Sequence, residues 1–71
     1  MTNLELVAIC ALAYMIEIYH QGLMENNITA KRSIVALHKI LKEGTMECRR
    51  RTCSYNSDIK SIKTSLIKNN E

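Results

Sequence analysis

The sequence contains no proline, tryptophan or phenylalanine, only two glycines, and three aromatic residues, all of them tyrosine. Because strands favour aromatic residues and need glycine or proline turns between them, this composition argues against a sheet or a loop-rich scaffold. With 71 residues, 46% of them apolar and 24% charged, the chain has the composition of a folded domain. We therefore predict an all-α fold with a single domain over 1–71, small enough that a partner subunit would help to complete its core.

The N-terminal part also lacks basic residues and a long apolar run. No Lys or Arg precedes Lys31, so the basic region of a secretory signal is missing. The longest uncharged run, 6–16, is shorter than the roughly 20 residues that a membrane span requires, and its flanks, Glu5 and Glu17, are acidic. The odd number of cysteines favours reduced thiols. On these grounds we expect a cytoplasmic protein without membrane contact.

Capping signals mark the first helix. Thr2 precedes Glu5 at the spacing of a capping box, directly before an apolar run. Gly22 is a natural helix terminator because glycine readily adopts the left-handed conformation. We therefore predict a helix over about 3–22.

The remainder of the chain predicts one further main helix and one or two short ones. The second helix, over about 28–43, has one apolar stripe typical of a half-buried helix, with Lys31 expected to face solvent. Thr45 can cap a short third helix, and a polar fourth segment begins at about residue 57. We expect the tail to fray from about residue 68. The predicted architecture is a small bundle of two main helices plus one or two short C-terminal helices.

The first helix is apolar over more of its circumference than one core requires. Its apolar residues cover roughly 200°, about twice the usual width of a core-facing stripe. Because leaving half of this surface in water would expose a large apolar patch, we expect a homodimer that packs first helix against first helix. We also expect other proteins to bind this helix. The predicted contact residues are Ile9, Leu12, Met15, Ile16, Ile18, Tyr19 and Leu23.

No pattern of catalytic or ligand-binding residues is present. The two glycines lie at separate predicted helix ends, so they cannot form a phosphate-binding loop. His20 and His38 fall on different helices, at predicted surface or boundary positions. Cys48 and Cys53 point apart on a helix and cannot share a metal ion; these two and Cys10 are expected to be packing residues. We predict a protein that is not an enzyme and has no cofactor and no metal.

Arg49, Arg50 and Arg51 are the densest charge in the chain. Three glutamates and no basic residue before Lys31 give −3, whereas ten basic and four acidic residues from Lys31 onward give +6. The arginines form either a contact surface for phosphate or an acidic protein, or a solvated helix in which one arginine pairs with Glu47. No aromatic residue lies between them and no helix-turn-helix spacing surrounds them, which argues against direct DNA binding.

The segment 19–55 combines a glycine-terminated helix, an alanine-containing amphipathic helix and a closing segment with Cys, Glu, Arg and Cys. The residues concerned are Gly22, Ala30, Leu37, Glu47, Cys48, Arg49 and Cys53. In these positions the chain resembles the ANR family, short enterobacterial negative regulators of AraC-type activators. The resemblance implies a cytoplasmic repressor of virulence-gene transcription. Such a protein binds an AraC-type activator, blocks its dimerisation and engages histone-like nucleoid proteins.

Two other functions are compatible with the same features. A small helical secretion chaperone would also present an over-apolar first helix, and tight stoichiometric binding of one effector would favour it. A basic dimeric DNA-binding protein would explain the arginine cluster, and strongly salt-dependent DNA binding would favour that function.

Overall fold

The computed structural model describes residues 1–69, which form four α-helices and one 3₁₀ turn. The elements are α1 (Asn3–His20), α2 (Ile28–Lys42), α3 (Met46–Thr52), the 3₁₀ turn (Cys53–Tyr55) and α4 (Asn56–Asn69). The predicted all-α fold is confirmed, and both main helices end within two residues of their predicted ends. Of the tail predicted to fray from about residue 68, residues 68–69 belong to α4 and residues 70–71 lie outside the described residues.

Side-chain caps begin the first three helices. The Thr2 hydroxyl accepts a hydrogen bond from the Glu5 amide, and the Glu5 carboxylate accepts one from the Thr2 amide at 2.9 Å, which is the predicted capping box. Asn27 and Thr45 cap α2 and α3 in the same manner, with side-chain oxygens that accept from a backbone amide three residues on. Gly22 follows α1 with a φ of +79°, a conformation that other residues rarely adopt, so it acts as the turn residue that the sequence predicts.

The core lies where α2 meets the other three helices, since α2 contacts α1, α3 and α4. Apolar side chains from all four helices are buried there. They are Ile9, Leu12, Ile16, Ile34, Leu41, Cys48, Ile59 and Ile62. Burying one side chain of this kind contributes about 1.5–3 kcal/mol. Two of these side chains belong to α4, so the polar fourth segment is an integral part of the bundle.

Lys31 is buried, although the sequence places it on the polar side of α2. Only 2% of the residue is exposed. Its Nζ donates to the Glu25 carbonyl at 2.8 Å and to the Ser65 hydroxyl at 2.7 Å, and lies 6.0 Å from the centroid of the Tyr19 ring. The prediction that Lys31 faces solvent is therefore wrong. A long side chain can bend from the edge of a helix into the interior when polar groups there form hydrogen bonds with its head group.

The two histidines have different surroundings. His20 is exposed, as predicted, and its Nε2 lies 2.6 Å from the Asp58 carboxylate, which links the end of α1 to α4. His38 is only 4% exposed, and its Nε2 donates to the Thr52 carbonyl at 3.1 Å. The prediction of a boundary position is wrong for His38, since α3 packs over it.

One carboxylate links the beginnings of α1 and α3. Glu5 accepts from the Thr45 amide at 2.8 Å and from the Thr45 hydroxyl at 3.2 Å, in addition to the Thr2 amide. Gly44 leaves room for this carboxylate, since a Cβ at that position would displace the end of the Glu5 side chain. Hydrogen bonds from the Thr2 and then the Thr45 backbone lower the pKa of Glu5 from 4.5 to about 2.

We expect Glu5→Gln to destabilise the protein at neutral pH and to do so less in acid. Because the pKa of Glu5 is lower in the folded than in the unfolded chain, its contribution is complete above about pH 4.5 and disappears as the pH falls towards 2. Urea unfolding at pH 7 and pH 3 measures the effect. The difference between wild type and Glu5→Gln should shrink at pH 3, whereas the exposed Glu17→Gln should change little at either pH. An undiminished difference at pH 3 would contradict this assignment.

Candidate functional site

The side of α1 that faces away from the core is apolar and exposed. Leu4, Val7 and Tyr14 are 78%, 67% and 66% exposed, and Ala11 between them is exposed as well. Half-buried Ile18 continues the line by one further turn. These five residues, which we call the α1 outer face, alternate spacings of three and four and therefore lie along one side of the helix. Helical geometry places their line about 150° from the buried stripe of the same helix.

Three of the predicted contact residues lie in the core instead. Ile9, Leu12 and Ile16 are at most 9% exposed and pack in the core that α1 shares with the other helices. No partner can reach them while the chain is folded, so their assignment to a binding surface is wrong. The sequence contains two apolar stripes on α1, the predicted contacts came from both, and the chain itself covers the part formed by Ile9, Leu12 and Ile16.

The other four predicted contact residues divide into two pairs. Met15 and Tyr19 are half-buried and pack against the core, so only part of each is accessible. Ile18 belongs to the α1 outer face, and Leu23, 69% exposed, lies in the turn after α1. These four remain predicted contacts, and only the second pair extends the exposed apolar surface.

The arginine cluster lies on α3 and is partly neutralised by one glutamate. Arg50 and Arg51 both form ion pairs with Glu47, the second with 3.5 Å between Nε and Oε1. Arg49 is exposed, as are the other two arginines. Pairing with Glu47 favours the solvated-helix interpretation, because exposed ion pairs of this kind need no further partner. The cluster stays a predicted contact surface and is no part of the apolar site.

The three cysteines are unpaired and do not share one environment. Cys48 is buried as predicted, and its thiol donates to the Leu41 carbonyl at 3.2 Å; burial and the nearby Glu5 carboxylate raise the pKa of this thiol. Cys10 and Cys53 are exposed, so the prediction that they are packing residues is wrong. Within residues 1–69, no three His, Cys, Asp or Glu side chains are grouped so that they could hold a metal ion.

No protein-family model, curated protein or solved structure matches this chain significantly. The resemblance to the ANR family therefore rests only on the residues quoted for it.

The length and hydropathy of α1 also meet the criteria for a helix that contacts a membrane. The helix has 18 residues with a mean hydropathy of 1.3, which is long and apolar enough for a membrane span by length and composition alone. Core helices of soluble proteins and N-terminal signal sequences share these properties, and 17% of the helix is buried here. By length and composition, a lipid surface is therefore a further candidate ligand of the α1 outer face.

Proposed function

We propose that this protein is a non-enzymatic cytoplasmic regulator that binds a dimeric transcription activator of the AraC type and blocks its dimerisation. The supporting observation is the α1 outer face, an exposed apolar line on a helix whose opposite side is buried in the core. Apolar anchors at i, i+3 and i+7 are the usual means by which one helix binds another or fills a groove. An activator that must dimerise offers an apolar surface of this type. The family resemblance alone identifies that activator as AraC-like.

A second copy of the chain occupies the same face when no activator is present. Small Ala11 at its centre allows two helices to approach closely. An α1 pair is a strip about 27 Å long and about 10 Å wide, which buries less than the roughly 1,200 Å² of a standard specific interface. A homodimer held by α1 alone is therefore weak, and an activator helix can displace it.

A titration with two matched variants tests the proposal. Val7→Asp places a charge on the outer face, and Ile40→Asp places the same charge at a 65% exposed position on α2. Activators are recovered by pull-down from the native host, purified, and titrated with wild type and both variants. We expect wild type and Ile40→Asp to bind and to keep the activator monomeric. Val7→Asp should bind at least about tenfold more weakly, since a carboxylate would have to be desolvated in the contact.

Three results would contradict the proposal. Tight, salt-sensitive binding to promoter DNA without affinity for the activator would favour the DNA-binding alternative. Stoichiometric capture of a secreted effector alone would favour the chaperone. Val7-dependent flotation with anionic phospholipid vesicles, again without activator binding, would assign the outer face to a membrane. The same pull-down tests whether a histone-like nucleoid protein is a further partner.

A further inference from the structure

A groove between α2 and α4 is lined by four lysines. Lys39 and Lys42 come from α2, and Lys60 and Lys63 from α4. The groove has a volume of about 630 Å³. All four lysines are exposed, and none forms an ion pair with another residue of the described range 1–69. Two positively charged rows therefore face each other across a groove.

The rest of the lining is mainly uncharged. Val35, which is half-buried, contributes aliphatic surface, and Glu43 is the one acidic residue in the lining. Like charges held close together repel one another, and an anionic group that enters between them lowers this repulsion. Each lysine pair is spaced i, i+3, one helical turn, so the charged length of each row corresponds to about one to two turns of a bound helix.

We propose that this groove binds an acidic segment of a partner protein, in which Asp or Glu side chains reach the lysines and an aliphatic side chain contacts Val35. The site is separate from the α1 outer face, so it goes beyond the function proposed above. Nucleic acid fits the lining less well. The charge of a phosphate backbone is continuous and would meet Glu43, whereas a peptide can place an uncharged residue opposite it. None of the tyrosines lines the groove to stack on a base.

Fluorescence anisotropy with a defined probe tests the groove. The probe is a labelled peptide of about 15 residues with Glu and Leu in i, i+4 repeats, long enough to fill the groove as a helix, in a buffer of about 50 mM salt to limit screening. Lys42→Gln with Lys63→Gln removes one charge from each row. Arg32→Gln with Lys68→Gln removes the same charge from exposed positions of α2 and α4 outside the groove.

An exposed charge pair contributes up to about fivefold in affinity. Because the groove variant removes two such charges, we expect it to bind the probe about tenfold more weakly. The control variant should stay within about twofold of the wild-type affinity. Replacing the leucines of the probe by serine should also weaken binding, and Val7→Asp should bind the probe like wild type. Equal losses of affinity in the groove variant and the control variant would overturn the proposal, as would an affinity that does not change when the leucines of the probe are replaced. Tighter groove-dependent binding of duplex or single-stranded DNA of equal charge would assign the groove to nucleic acid instead.

Discussion

Ile16→Asp is expected to unfold the protein, whereas Val7→Asp on the same helix is expected to leave it folded. Ile16 is 4% exposed within the core, and an unpaired carboxylate there costs several kcal/mol. A domain of this length has a free energy of unfolding of about 4–10 kcal/mol, so one such change removes most of it. Val7 is 67% exposed, and a carboxylate at that position remains in water.

Circular dichroism with urea titration separates the two variants. Ile16→Asp should lose its helical signal or unfold without a cooperative transition. Val7→Asp should retain the wild-type signal and midpoint, and sedimentation equilibrium should find it monomeric at concentrations where wild type self-associates. A folded Ile16→Asp variant that fails only in self-association would reverse the assignment of the inner and outer sides of α1.

Lys31→Ala is expected to destabilise the protein by about 2–5 kcal/mol, the usual cost of truncating a long buried side chain. The change empties the space filled by the lysine stem and leaves the Glu25 carbonyl and the Ser65 hydroxyl without their donor. Lys31→Met keeps the volume and removes a charge that was costly to bury, so its cost should stay below about 1.5 kcal/mol.

Thermal unfolding measures the difference, since about 1 kcal/mol shifts the midpoint of a domain of this size by about 4–8 °C. Arg32→Ala, at the exposed neighbouring position, is the control and should change stability by less than about 0.5 kcal/mol. A Lys31→Met variant as unstable as Lys31→Ala would mean that the hydrogen bonds of the ammonium group, rather than the packing of its stem, stabilise the fold.

The helices could be predicted because their signals are local. Each capping or turn residue affects only the few residues next to it in the sequence, and each is found where the sequence predicts it. These residues are Thr2 with Glu5, Thr45 and Gly22. The burial of Lys31 could not be predicted, since one of its partners lies 34 residues further along the chain. A polar partner so distant leaves no trace in the periodicity of α2.

The candidate site was only half predictable for a similar reason. An over-apolar first helix is visible in the sequence, but both of its stripes have helical spacing, and the packing of α2, α3 and α4 decides which one is covered. The alternation of Leu4, Val7, Ala11, Tyr14 and Ile18 was a usable signal, since five residues with heptad spacing suit contact with another helix. The lysine groove had no such signal, because its two rows of lysines are far apart in the sequence and meet only when α2 packs against α4.

The placement of two apolar surfaces on opposite sides of one helix has a consequence for how such a protein can diverge. Under the proposed function, substitutions at Leu4, Val7 or Tyr14 would alter what binds without disturbing Leu12 or Ile16, which are buried on the other side. Natural selection can therefore change the choice of partner with little loss of thermal stability. A lineage of proteins built in this manner would keep its inward residues and vary its outward ones, and the rate of amino-acid replacement would alternate along α1 with the turn of the helix.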